Sequence, residues 1–552
     1  MRERSHRGGW LLLAMLGVSA ALLVCVVPAA ATPAAARASE CSSVDCPVRV
    51  APVLAWKRCA GPAKRGFECA TARRVPLDYG RPRDAGIRLA VIRRRATDRA
   101  RRLGTLFFNP GGPGEPGTDV LPTVLDAFPA AVRARFDLVS WDPRGVGRST
   151  AVQCFPSEEA EGRFFAGIPD GFPVGRSEQR AWIRSFARFG RRCGRRNGRL
   201  LEHVSTADTA RDLDLLRRAV GDRRLNYLGT SYGTFLGATY ANLFPRRVGR
   251  LVLIGNQDPV AWTRRGRRRP FLSTFLRSRA DKAAAETLRA FLDLCGRAET
   301  AQCGFSAGSP AATRAKWAKL LGRLREQPVT VGRPPETITY AELASRVVEG
   351  LYGVPGWPEL AELLQNVWTR SEPEGPPTAP TAWLPDLRLG APRASASAEQ
   401  PNLERYTGLE QEYAVICAES PNPRPRAFPR LAALAFARAR EPGLYWSWIV
   451  EPCASWPARA ADRYAGPWDR PTAHPVLVIN NTFDPGTPHR GAVAMSRRLA
   501  RARLLTVDGY GHAVGGPSSC INRYISAYFI EGTLPPRGTR CRQDRPPFSP
   551  AP

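Results

Sequence analysis

At 552 residues with 43% hydrophobic side chains, the chain can build a large buried core plus an insertion, which excludes a small module or a disordered polymer. The formal charge of +32 comes from 81 basic residues against 49 acidic ones, and only five of the basic residues are lysine, so coding bias contributes as well as function. No aromatic-interleaved basic motif accompanies this charge, which argues against nucleic acid and leaves anionic cell-wall polymers, membrane surfaces or acidic peptides as partners.

Residues 1–31 read as a signal peptide. Arg2, Arg4 and Arg7 precede the apolar run Trp10 to Val27, and Ala29-Ala30-Ala31 offers small residues for cleavage. The run is long enough that an uncleaved membrane anchor is the alternative to export. Thirteen cysteines less Cys25 leave an even twelve, which suits an oxidising compartment. They fall into neighbours: Cys41 with Cys46, Cys59 with Cys69, Cys154 with Cys193, Cys295 with Cys303, Cys417 with Cys453, and Cys520 with Cys541. Zinc would need Cys-x-x-Cys or Cys/His clusters, and none is present.

Strands are predicted at Ile87 to Ile92, Thr105 to Phe108 and Phe136 to Ser140. The second runs into Asn109-Pro110-Gly111-Gly112-Pro113-Gly114, a loop able to turn a backbone N–H toward a developing oxyanion. Gly112 is the preferred donor and Gly111 the reserve. A helix is predicted from about Thr206 to Val220, capped by Ser205. Leu225 to Leu228 then leads through Gly229-Thr230-Ser231-Tyr232-Gly233 into an apolar helical stretch, and the N–H of Tyr232 supplies a second oxyanion donor.

After the strand Leu251 to Ile254 the strand signal fades and helical patterns take over, around 271–295, 311–324, 340–351 and 357–368. Within this stretch Arg264 to Arg269 is the densest basic run, and Ser371 to Pro401 is a long Pro-, Ala- and Ser-rich segment. The core resumes with Tyr413 to Cys417. Two apolar strands follow, Pro475 to Ile479 with Asp484 in the loop beyond it, and Arg503 to Val507 with His512 beyond it. Arg537 to Pro552 is a Pro- and Arg-rich tail, expected to fray.

A serine, an aspartate and a histidine in that order, each after a strand, match the triad order of an α/β-hydrolase. The expected fold is therefore α/β, a mostly parallel sheet with helices on both faces and an inserted helical cap. The division is 32–260 for the first part of the core, 261–405 for the cap, 406–536 for the second part with acid and base, and 537–552 for the tail. Ser231 is the expected nucleophile, His512 the base and Asp484 the orienting acid, with no metal or cofactor required.

The loop 109–114, Phe136 to Ser149, the elbow 229–233, Asp484-Pro485-Gly486-Thr487-Pro488 and Gly511-His512 together resemble the secreted tripeptidyl aminopeptidase branch of the prolyl aminopeptidase family. The likeness runs from about Trp56 to about Cys541. It implies an enzyme that removes short peptides or single residues from free N-termini, with peptide as its substrate. It also implies an acidic residue for the substrate ammonium, for which Glu419, at the position where the family tends to carry an acid, is the first candidate and Glu412 the second. Where the family continues the glycine loop with a small residue and Ser-Gly, this chain has Glu115-Pro116-Gly117. The alternatives are a carboxylesterase- or lipase-like hydrolase on the same triad, and a catalytically silent cell-surface binding protein that uses its basic face. Sequence does not fix the oligomeric state.

Overall fold

The computed structural model describes residues 51–264, 271–332, 334–372, 406–514 and 516–549. The signal segment, the Cys41/Cys46 pair, residues 265–269 of the basic run and most of Ser371 to Pro401 lie outside these. Among the described residues no helix is long and apolar enough to cross a membrane.

Ten strands form one sheet. In chain order they are β1 (Lys57–Arg58), β2 (Glu68–Pro76), β3 (Gly86–Arg94), β4 (Gly104–Asn109), β5 (Phe136–Trp141), β6 (Leu225–Thr230) and β7 (Val248–Ile254). A separate hairpin, β8 (Val329–Val331) and β9 (Glu336–Ile338), lies in the insertion, before β10 (Val476–Phe483), β11 (Ala502–Tyr510) and β12 (Arg540–Arg542). The order across the sheet is β1-β2-β3-β5-β4-β6-β7-β10-β11-β12. From β5 to β12 all pairs are parallel, so the loops after β4, β6, β10 and β11 emerge at one edge. This is an α/β-hydrolase sheet, and its β1–β3 extension is antiparallel.

Side chains alternate across the central strands, as a pleat requires. Phe107 packs with Trp141, Leu213 and Phe235 on one face, while Leu106 and Phe108 pack with Leu228, Ile479 and Phe529 on the other. Each such buried side chain contributes about 1.5–3 kcal/mol. The predicted helix at 206–220 forms as Thr206–Ala219, and the Ser205 hydroxyl accepts from Asp208 N at 2.9 Å. Its polar side is buried as well. Asp212 there receives two hydrogen bonds from the fully buried Arg144, at 2.6 and 2.7 Å, and one from Tyr79 at 2.7 Å. Asp142 accepts from Thr118 N and Arg148 N, both at 2.8 Å. The Asp142–Ser149 motif is thus a buried brace beneath the sheet edge.

The insertion carries the helices Ala280–Arg297, Pro310–Glu326, Tyr340–Gly350 and Trp357–Arg370 where helical patterns fall in the sequence. Tyr413 to Cys417 does not reopen the sheet. It lies in the helix Leu409–Glu419, followed by Phe428–Trp448, and strand pairing returns only at Val476. A short apolar run buried all round has no period to separate helix from strand, and Glu410 and Glu412 in the first turn favour the helix. The tail also departs from expectation: β12 pairs with β11, and Phe548 packs on Phe291 and Trp357. Among the described residues five neighbour disulfides are formed, 59–69, 154–193, 295–303, 417–453 and 520–541.

Candidate active site

Ser231 sits at the turn between β6 and the helix Tyr232–Leu243 with φ 56°, a left-handed conformation that costs a non-glycine residue energy. Its N–H is tied to Ile254 O at 2.9 Å, across to β7. The flanking glycines are required by close approach: a Cβ on Gly229 would lie 2.4 Å from Gly233 O, and one on Gly233 would lie 2.7 Å from Asn109 O. The glycine loop after β4 passes directly beside this elbow. A Cβ on Gly111 would fall 2.9 Å from Ser231 Cβ and 3.2 Å from Tyr232 N, so the Gly111–Gly112 peptide runs past both. Gly112 itself is exposed and faces Glu115.

Asp484, fully buried after β10, accepts His512 Nδ1 at 2.9 and 3.2 Å. Four further donors hold the carboxylate: Gly486 N at 2.9 Å, Thr487 N at 2.7 Å, Thr487 Oγ1 at 2.8 Å and Ala513 N at 2.9 Å. A carboxylate with this many donors is fixed in place. The histidine loop is braced from three sides. Asn481 Nδ2 donates to Tyr510 O and Gly511 O, both at 2.9 Å, from below. Gln543 in the tail donates to Tyr510 O and Val514 O at 2.8 Å and accepts from Tyr510 N at 3.0 Å. From the cap, Tyr352 O accepts from His512 N at 2.8 Å, and its ring lies 4.6 Å from the imidazole.

The two acidic candidates on the helix Leu409–Glu419 have different surroundings. Glu419 is fully buried, and its oxygens accept from Thr206 N and Thr206 Oγ1, both at 2.6 Å. Thr206 Oγ1 also bonds Tyr232 OH at 2.5 Å. Glu419 therefore serves the N-terminus of the Thr206–Ala219 helix, and burial pushes its carboxyl up to about 7 against those hydrogen bonds. Glu412 is half-buried and has no hydrogen bond or ion pair among the described residues. Burial, with the charge of Glu115 beside it, pushes it up to about 7. The backbone of Glu412 abuts the glycine loop, since a Cβ on Gly114 would lie 2.8 Å from Glu412 N. Glu349, also raised to about 7 by burial, accepts from Tyr445 OH at 3.4 Å; burial raises the Tyr352 and Tyr445 hydroxyls, and the charges of Glu349 and Glu412 add to it.

Sequence reasoning missed Tyr352, Glu349, Thr487 and Gln543. Only Thr487 stood in a quoted motif, and the other three come from a cap helix end, a cap helix and a tail with no local signal. Among the described residues no group of three or more His, Cys, Asp or Glu side chains could hold a metal ion.

Residues 104–313 match the family model described as alpha/beta hydrolase fold, and residues 440–541 match the one described as TAP-like protein. The chain is 31% identical to a tripeptidyl aminopeptidase of Streptomyces lividans over 507 residues, covering 88% of this chain and 86% of that protein. It is 31% identical to the serine protease Hip1 of Mycobacterium tuberculosis H37Rv, covering 85% and 86%. A carboxylesterase B of the same strain is also 31% identical, covering 95% and 97%. The chain is a serine hydrolase, and it belongs to the tripeptidyl aminopeptidase family of α/β-hydrolases.

Proposed function

We propose that this hydrolase is an exported exopeptidase that releases short peptides, tripeptides among them, from free N-termini. Ser231 attacks the scissile carbonyl while His512 takes its proton, and an acyl-enzyme forms as the His512 imidazolium protonates the leaving amine. Water then attacks the ester, again giving its proton to His512, and Ser231 regains its proton on release of the acid. Asp484 holds the imidazole tautomer and stabilises the imidazolium. The N–H groups of Gly112 and Tyr232 receive the oxyanion, each worth about 3–4 kcal/mol. Glu412 takes the substrate ammonium, with Glu115 and Glu349 adding negative potential. The observation that carries this reading is the unpaired carboxylate of Glu412 beside the glycine loop, a cost that a bound ammonium removes. The disulfides and the signal-like first 31 residues support export.

The esterase reading is favoured by the carboxylesterase B relative, which matches almost the whole chain. Matched amide substrates with free and acetylated N-termini, assayed beside a simple ester, separate the two. Strong preference for the free amine supports the exopeptidase, and equal cleavage of both amides overturns it.

A further inference from the structure

A cavity of about 590 Å³ opens between the start of the insertion and the segment that follows the helix Leu409–Glu419. Phe271, Pro421, Arg424, Arg459 and Arg463 line it, together with Glu419. Two of its arginines are anchored on backbone carbonyls. Arg459 Nη1 donates to Cys417 O at 2.8 Å, and Arg463 Nη1 donates to Glu419 O at 2.7 Å and Thr263 O at 3.2 Å. No ion pair joins any of the three to a carboxylate among the described residues. Burial and the neighbouring charge of Arg463 both lower Arg459, so these guanidiniums repel one another.

Against the lining residues Phe271 and Pro421 packs Arg277, which stacks toward the Phe271 ring and donates to Ala261 O at 2.9 Å, Leu272 O and Pro421 O at 2.7 Å, and Ser420 Oγ at 2.8 Å. It too has no carboxylate partner among the described residues, and burial pushes it down to about 9. The one acid in the wall, Glu419, has both oxygens committed to Thr206. Three guanidiniums therefore line a concave site, with Arg277 packed behind its wall, and the one carboxylate in that wall among the described residues is the hydrogen-bonded Glu419.

We propose that this cavity is an anion site, in which Arg424, Arg459 and Arg463 hold a phosphate or carboxylate group. Forked guanidinium donors match the geometry of such oxyanions, and the buried charge of Arg277 adds attraction that solvent screens poorly. The site does not depend on the hydrolytic reading, because none of its residues belongs to the Ser231, Asp484 and His512 group.

Two sources share this chemistry, free phosphate and the side chains of an acidic peptide. Calorimetric titration of the full exported protein at constant ionic strength, with inorganic phosphate and separately with an N-acetylated triglutamate amide, distinguishes them. One saturable site is expected for at least one ligand, and the tighter of the two identifies the source. Affinity should fall about tenfold or more in R459Q/R463Q and measurably in R424Q. It should be unchanged in R195Q/R196Q, two exposed arginines on the helix Gly175–Asn197. R424Q carries the test if the double variant fails to fold, since Arg424 is exposed and holds no element in place. Absence of saturation with both ligands, or equal weakening in the R195Q/R196Q control, overturns the proposal.

Discussion

The carboxylate of Asp484 and that of Glu412 flank the same sheet edge, but they are solvated by the protein in opposite ways. Asp484 accepts four hydrogen bonds besides the imidazole, whereas Glu412 accepts none among the described residues and feels the charge of a second acid, Glu115. The first is finished before any substrate arrives, and the second is completed only by a cation. A preorganised group is felt in the transition state of any substrate, while an unsatisfied one selects which substrate is bound. Breaking each should therefore give a different kinetic signature.

The largest effect belongs to the finished region. Ser231→Ala should abolish fluorophosphonate labelling and hydrolysis with the fold retained, because it removes the nucleophile without adding bulk at the elbow. Asp484→Asn should lower kcat by about 10⁴ toward amide and ester alike, since the wrong imidazole tautomer harms every substrate. A nearly wild-type Asp484→Asn enzyme would discard the acid assignment.

The unfinished region should give a smaller, substrate-dependent loss. Acetylating the peptide N-terminus should cut kcat/KM by about several hundredfold, and Glu412→Gln should reproduce that loss with the free peptide while sparing a simple ester. The two losses should not add, because each removes half of one interaction. With Glu412 raised to about 7, the protonated acid cannot pair with an ammonium, so the peptide-to-ester activity ratio should fall as pH drops through about 7. Glu419→Gln should leave that ratio alone and lower stability instead, as its oxygens serve Thr206. A Glu419→Gln variant that loses the free-amine preference while Glu412→Gln keeps it would reverse the assignment.

A third region supports the base from outside. Gln543→Ala removes the three side-chain hydrogen bonds that Gln543 makes to Tyr510 and Val514 on either side of His512, so kcat should fall about tenfold, for peptide and ester equally, with KM little changed. An unchanged kcat would mean that Asn481 and Tyr352 suffice to hold the loop.

How far the sequence reaches follows the same contrast. The sheet edge was legible because each element carries its own local signature: apolar strands at parallel-sheet length, glycines where close approach forbids a Cβ, and neighbouring cysteines. The groups around Glu412 were not, because Tyr352, Glu349 and Gln543 reach the site only through tertiary packing, and their own segments look like ordinary helix or tail. Glu419 shows the converse. An acid at the position the family resemblance suggests is used to cap a helix more than two hundred residues away in sequence, a partnership no spacing reveals. Tyr413 to Cys417 misled for a simpler reason, since burial on all sides erases the period that separates helix from strand.

Unsatisfied carboxylates also occur where no substrate is expected, and Glu451 tests whether such a group is merely costly. It is fully buried, neither oxygen has a hydrogen-bond partner among the described residues, and burial pushes it up to about 8. A raised carboxyl binds its proton more tightly in the folded state. Its contribution to stability is thus fully present below the ordinary glutamate range near pH 4.5, and it is lost as pH rises to about 8. Glu451→Gln keeps the shape but removes the titration. The melting temperature of the variant relative to the parent should therefore climb by several degrees between pH 5 and pH 8.5, with the peptide-to-ester ratio unchanged at every pH. A difference in melting temperature that stays constant across this range would show that Glu451 finds a partner when ionised. A shift in the peptide-to-ester ratio would instead place Glu451 beside Glu412 as part of the ammonium site.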